Sequence, residues 1–146
     1  MKNDWTKKLL IIIGITIGAY IGFNLSFMLA AVITLTVGRL TGPLGFTIGR
    51  LIFLVVIYLI FAISKQLKIP VWIKATIFTM PMISTLILIG VYGYGLDQWI
   101  VLGLGALFVS GVVYYLYRNK WDWTYYYALG FVTACAAYVI IAGIDI

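Results

Sequence analysis

The stretch that decides the fold of this chain is residues 9–38, which read LLIIIGITIGAYIGFNLSFMLAAVITLTVG. These thirty residues carry no charge, whereas about 20 apolar residues are enough for a helix to cross the roughly 30 Å hydrocarbon core of a bilayer. A secretory signal peptide has an apolar core of only about 7–15 residues. We therefore interpret the stretch as a retained first transmembrane helix.

The composition of the whole chain also indicates a membrane protein. Of 146 residues, 64% are hydrophobic and 10% are charged, whereas a soluble domain is about half apolar and a quarter charged. Five apolar runs predict spans at about residues 9–38, 44–63, 71–93, 99–117 and 123–143. The sequence thus predicts an all-α membrane protein, a bundle of five transmembrane helices in a single integral membrane domain over residues 1–146.

The positions of lysine and arginine predict the orientation of this bundle. Basic residues beside short loops stay on the cytoplasmic side of a membrane. With five crossings, one side receives Arg39 and Arg50, and the other receives the remaining eight basic residues, which are Lys2, Lys7, Lys8, Lys65, Lys68, Lys74, Arg118 and Lys120. We therefore expect the N-terminus inside and the C-terminus outside, in what the composition indicates is a prokaryotic plasma membrane.

The five tryptophans give an independent indication of where the spans end. Indole rings prefer the headgroup level of a bilayer. All five fall at predicted span ends and none lies at a span centre: Trp5, Trp72, Trp99, Trp121 and Trp123. They predict aromatic belts at both membrane surfaces.

Small residues recur at every fourth position of the first span. This stripe consists of Gly14, Gly18, Gly22, Ser26, Ala30, Thr34 and Gly38. Such spacing forms a glycine-zipper surface, on which another helix can approach closely. The neighbour is either a helix of the same chain or a second molecule, and the length of the stripe favours a second molecule. Single pairs at the same spacing are weaker indications, among them Gly45 with Gly49 and Ala106 with Ser110.

Asn24 and Arg50 are the polar residues that lie deepest in predicted spans. The amide of Asn24, at the centre of a first span that is either one tilted helix or broken near this residue, needs a partner because hydrocarbon supplies none. It either bonds to another helix or forms a polar station in a permeation path. Arg50 lies about 9 Å inside the second span, where a charge costs at least a few kcal/mol unless it reaches the interface, pairs or faces water.

Two interpretations of Arg50 follow. The side chain either snorkels to the membrane surface without a further role, or it acts as a ligand group together with Arg39. In the second case it pairs with Asp97, or it binds an anionic group such as a lipid phosphate or a solute carboxylate.

Catalytic chemistry is difficult to build from this sequence. The chain contains no histidine and no glutamate, and its four aspartates fall near span ends. Hydrolysis in a membrane needs a positioned base or a metal, and the single cysteine, Cys135, can form neither an intrachain disulfide nor a multi-ligand metal site. We expect no cofactor and no metal. The scattered basic residues form no continuous stripe, so we expect no nucleic-acid partner.

Three functions remain open. The favoured one is a non-enzymatic helix-packing subunit or regulatory component of a membrane complex, in contact with lipid and with copies of itself or a partner subunit. The alternative is a small oligomeric transporter or channel with a polar path near Asn24 and a basic outer mouth at Arg50. The third is a lipid-modifying membrane enzyme acting through Asp97 or Asp145.

Overall fold

The computed structural model describes residues 2–93 and 95–142. Its five helices are α1 (Lys2–Thr41), α2 (Pro43–Gln66), α3 (Val71–Tyr92), α4 (Gln98–Arg118) and α5 (Trp123–Ile141). Each is long and apolar enough to cross a membrane. The prediction of an all-helical chain with five such helices is confirmed. The predicted end of the fifth span at residue 143, like Asp145, lies outside the described residues.

The connections between helices follow from local sequence. Gly42 has φ 75°, a left-handed conformation that glycine adopts without strain, and Pro43 then occupies the first turn of α2. Asp97 and Asp122 begin α4 and α5, because each carboxylate accepts a hydrogen bond from a backbone N–H two residues later, at 2.9 Å and 3.0 Å. Such capping compensates for the unpaired N–H groups of a first helical turn.

Helix α1 is continuous over its 40 residues, which corresponds to about 60 Å. It does not break at Asn24, whose Nδ2 donates to the carbonyl oxygen of Tyr20 one turn earlier at 2.8 Å. Helices α3, α4 and α5 have 22, 21 and 19 residues, or about 29–33 Å each, the thickness of a hydrocarbon core. Helix α1 is therefore much longer than the bundle it belongs to.

Helix α3 is the centre of the bundle and contacts all four other helices. Helix α1 packs against α2, α3 and α5, whereas α4 contacts only α3 and α5 within the described part of the chain. The main buried cluster contains residues of α1, α3, α4 and α5, among them Ile15, Ala75, Phe78, Leu116 and Leu129. Much of the α4 surface is consequently left uncovered.

The helix order sorts the basic residues to two ends. At one end, the Lys65 Nζ lies 4.6 Å from the ring centroid of Trp121, and Lys74 Nζ donates to the Lys65 carbonyl at 3.0 Å. The start of α1 lies at this same end, because Gly14 faces Trp72. The eight basic residues grouped by sequence therefore lie toward one end, and Arg39 and Arg50 toward the other. Which end faces the cytoplasm stays a prediction.

The register between α1 and α3 shows where the long helix extends past its neighbours. Gly14, Gly18 and Gly22 face Trp72, Thr76 and Met80 in turn, so the two helices are parallel and advance together. Continuing this register places Thr34 level with the end of α3 at Tyr92. Residues 35–49, which we call the hairpin tip, thus extend about 10 Å beyond α3.

Candidate functional site

The first half of the small-residue stripe is covered by α3 of the same chain. A Cβ atom at Gly18 would lie 2.5 Å from Thr76 Cγ2, and one at Gly22 would lie 3.0 Å from Met80 Cε. Real Cβ atoms rarely approach so closely, so this surface has no space for a second molecule. The intermolecular packing favoured from sequence is therefore not available to these glycines.

The second half of the stripe turns toward α2. A Cβ at Gly49 would lie 2.8 Å from Thr34 Cα, and one at Gly45 would lie 2.7 Å from the Val37 carbonyl oxygen. The change of partner follows from helix geometry, because residues four apart advance by about 40° on a helix with 3.6 residues per turn. The stripe, which covers the 25 residues from Gly14 to Gly38, therefore winds from the α3 side of α1 to the α2 side.

An open crevice lies among α1, α2 and α3, in the half of the bundle nearer the hairpin tip. We call it the Arg50 crevice; its volume is about 430 Å³. Ser26 and Ala30 of the predicted stripe line it, together with Arg50, and its remaining walls are mainly apolar, including Phe53 and Leu88. The stripe residues between the α3 contact and the α2 contact thus line a space instead of a helix interface.

Arg50 is half-buried in this crevice, and no carboxylate of the described residues pairs with it. Its guanidinium carbon lies 5.9 Å from the centroid of the Tyr92 ring. Within residues 2–93 and 95–142, the one ion pair joins Lys8 and Asp4, whereas Asp97 caps α4 through the Trp99 N–H. The predicted pairing of Arg50 with Asp97 is not formed.

Arg39 and Asn24 lie outside the Arg50 crevice. Arg39 is exposed in the last turn of α1, within the hairpin tip. Asn24 is exposed on the surface of α1, and its amide donates a hydrogen bond to a carbonyl of the same helix instead of a neighbouring one. Of the three predicted polar residues Arg39, Asn24 and Arg50, only Arg50 lines the crevice.

A second, smaller crevice of about 260 Å³ lies among α1, α3 and α5. The described residues that line it include Thr79 and Cys135, and none of them is charged. Phe23, Ile83 and Ile87 line both crevices and form the partition between them. Sequence reasoning gave no indication of either crevice, because each depends on residues from three helices.

Ser26 is the buried polar group that sequence reasoning treated only as a small residue. It is 4% exposed, and its hydroxyl has no hydrogen-bond partner within the described residues. An unpaired buried hydroxyl costs about 1–3 kcal/mol. The deep part of the Arg50 crevice therefore contains a hydroxyl to which no described residue forms a hydrogen bond.

We expect Ser26→Ala to leave the free energy of unfolding unchanged or to raise it by up to about 1 kcal/mol, because it removes an unsatisfied donor. The matched control is Ser64→Ala. Ser64 is equally buried, at 3% exposure, but its Oγ donates to the Phe61 carbonyl at 2.7 Å, so its loss should cost about 1 kcal/mol. Unfolding of the detergent-solubilised variants by SDS measures both. If Ser26→Ala destabilises as much as Ser64→Ala, the hydroxyl has a partner in the folded protein.

Trp121 departs from the predicted aromatic belt. Trp5 and Trp99 are 80% and 79% exposed, as belt residues should be, but Trp121 packs inside the basic end of the bundle. Its ring centroid lies 4.4 Å from that of Tyr125 and 6.1 Å from that of Phe61. The reason is that the short α4–α5 connection turns its indole inward, onto α2 and α3.

The open small-residue surface lies on α4 and not on α1. A Cβ at Gly103 or Gly111 would meet nothing within 4 Å, and Ala106 and Ser110 are exposed. The sequence contains the Ala106–Ser110 pair, yet only the packing of α4 shows that the pair has no neighbour in the described part of the chain.

No protein family, curated protein or solved structure matches this chain. Function is therefore inferred from contacts, exposure and charge. Two features stand out from ordinary bundle packing: the uncovered small-residue face of α4, and a cation at one end of an apolar crevice.

Proposed function

We propose that the protein is a non-catalytic subunit of a membrane complex, and that a transmembrane helix of its neighbour packs on the outer face of α4. The neighbour is a second copy of the chain or a partner subunit. The observation that carries the proposal is the exposure of small residues on the one helix that contacts only α3 and α5. We place the complex in a prokaryotic plasma membrane, with the basic end of the bundle inside.

The spacing of Gly103, Ala106 and Ser110 puts them within about 60° of one another around α4. The buried residues of this helix, Val101 and Leu116, lie on its opposite side. Lipid provides no hydrophobic force for helix association, so membrane helices associate where small residues let their backbones approach. The outer face of α4 has such small residues and no neighbouring helix among those described. The glycines of α1, in contrast, are already packed against α2 and α3.

Large side chains mark the two ends of the same α4 face. Trp99 and Tyr117 are 79% and 75% exposed, and Leu107, between Ala106 and Ser110, is 72% exposed. A neighbouring helix could therefore settle on the small residues at mid-helix while Leu107 packs beside it. The protruding side chain of Leu107 beside a depression of small residues gives α4 a surface on which another helix can pack closely.

Transport is the weaker candidate. A polar path would need Asn24 and Arg50 on a common surface, but Asn24 lies outside the Arg50 crevice, whose walls are mainly apolar. We expect no solute flux when the protein alone is reconstituted into liposomes. Substrate-dependent flux in that experiment would favour the transporter.

Cysteine cross-linking tests the α4 interface directly. In a Cys135→Ala background, Ser110→Cys should form a disulfide-linked dimer in native membranes under mild oxidation if the neighbour is a second copy. In a twofold interface only residues close to the symmetry axis face their own copies, and Ser110 lies on the small-residue face where we place the crossing of two α4 helices. A disulfide requires Cα atoms within about 7 Å. The matched control is Ala62→Cys, exposed on α2, which should remain monomeric.

Gly103→Leu gives the second measurement. The side chain enters open space in the isolated chain, so the fold should be retained while the complex dissociates in size-exclusion chromatography. A cross-link of Ser110→Cys to a different protein identifies a partner subunit. Absence of any cross-link, together with an unchanged complex size in Gly103→Leu, contradicts the proposal.

A further inference from the structure

We propose that the Arg50 crevice binds an anionic phospholipid, with one acyl chain along the crevice and the phosphate at the guanidinium of Arg50. The proposal is independent of the α4 interface, since no residue of α4 lines the crevice. It rests on three observations: the level of Arg50 along the bundle, the lack of a described ion-pair partner for Arg50, and the length of the apolar walls of the crevice.

The depth of Arg50 corresponds to the headgroup level. Its guanidinium lies beside Tyr92, the last residue of α3, and Gly49 next to it faces Thr34, which is level with that end. Because α3 is about 33 Å long, its end reaches the boundary of a hydrocarbon core of roughly 30 Å. Arg50 is seven residues into α2, but the residues before it belong to the hairpin tip, which extends past this boundary. Arg50 itself therefore lies at the boundary.

The charge at this level lacks a counter-ion among the described residues. Arg50 faces an aromatic ring, and no described carboxylate lies within ion-pair distance of it. A ring face attracts a cation but does not accept the in-plane N–H bonds of the guanidinium. A phosphate accepts such bonds in pairs, and the planar guanidinium fork suits this geometry better than a lysine ammonium does.

The length of the crevice suits one acyl chain. Its α1 wall runs from Phe23 to Leu35, a rise of about 18 Å, which is close to the roughly 15 Å of one leaflet. The other walls are Phe53 of α2 and Ile87 and Leu88 of α3. A free anion would leave this apolar space unused, a lipid without a phosphate would leave Arg50 unpaired, and a zwitterionic phospholipid would bring its own headgroup cation close to the guanidinium. An anionic lipid satisfies both.

The test is lipid retention by the purified protein in a neutral detergent, measured by native mass spectrometry with matched phosphatidylglycerol and phosphatidylcholine. We expect the wild-type protein to prefer phosphatidylglycerol about tenfold, because both lipids offer a phosphate to Arg50 but only phosphatidylcholine adds a cation beside it. Arg50→Gln should abolish the preference and Arg50→Lys should retain part of it. Arg39→Gln is the matched control, because Arg39 is exposed and lies outside the crevice, and it should retain the full preference.

A second variant tests the acyl-chain part of the site. Ala31→Leu adds volume to the crevice wall and should reduce retention of both lipids, while helical content measured by circular dichroism is unchanged. Inorganic phosphate at millimolar concentration should not displace bound phosphatidylglycerol. Displacement by phosphate, stronger retention of oleate than of phosphatidylglycerol, or equal selectivity in Arg50→Gln and Arg39→Gln would each overturn the proposal.

Discussion

Replacing Gly49 with leucine should lower the free energy of unfolding by about 3 kcal/mol or more, the upper range for overpacking of a tight interface. The Cβ of the new side chain would lie 2.8 Å from the Thr34 Cα. That neighbour is backbone and not the end of a flexible side chain, so relief requires α1 and α2 to separate. Separation would expose the contacts on both sides of Gly49, including those of Gly45 with Val37 and Gly38.

The measurement for Gly49→Leu is reversible unfolding in mixed micelles with increasing SDS. The matched control is Gly130→Leu on α5, an exposed helical glycine at which a Cβ meets nothing within 4 Å. The control should be neutral or slightly stabilising, because glycine is about 1 kcal/mol less favourable than alanine within a helix. Equal stability of the two variants would show that α1 and α2 are not in close contact at Gly49.

Trp121→Ala should cost about 3–5 kcal/mol of the free energy of unfolding, the usual cost of truncating a large packed aromatic residue. The indole contacts the rings of Phe61, Phe78, Tyr115 and Tyr125. These residues belong to four segments of the bundle, α2 to α5, so a cavity at Trp121 weakens several helix contacts at once. The Lys65 ammonium above the ring also loses its cation–π partner.

The control for Trp121→Ala is Trp99→Ala at the opposite end of the bundle. Trp99 is 79% exposed, and its truncation should change the free energy of unfolding by about 0.5 kcal/mol or less, as at other exposed sites. Both variants are compared in the same SDS titration. A loss at Trp99 as large as that at Trp121 would mean that the belt position of a tryptophan, and not its packing, sets its contribution.

The sequence predicted the number of helices because an uncharged run of about 20 residues has few alternatives in a bilayer. It underestimated α1, which begins at Lys2 and ends at Thr41 instead of spanning 9–38. Hydropathy detects the part of a helix that lies in hydrocarbon, but hydrogen bonding continues a helix into polar flanking residues. The break between α1 and α2 at Gly42 and Pro43 follows from local sequence, since glycine and proline determine backbone conformation locally.

The candidate site was only partly accessible to sequence reasoning. Arg50 was predicted inside the second helix, where the structure has it. Its depth was counted from the end of α2, and only the packing shows that it lies beside Tyr92 at the end of α3. The small-residue stripe was evident, but its neighbours were not. Helical periodicity shows which residues share a face and contains no information on which helix covers that face.

The sequence by itself determined the helical class, the helix order and the sorting of basic residues to one end, because these depend on hydropathy, local turn chemistry and the alternation of short connections. Tertiary structure decided what each helix face contacts: α3 and α2 on the stripe of α1, no helix on the outer face of α4, and a crevice beside Arg50. The physical reason is that packing depends on register and on side-chain volume across three helices at once. Thr34 and Tyr92, for example, are separated in the chain by the end of α1, all of α2 and nearly all of α3, and they come to the same level along the bundle only when the helices pack.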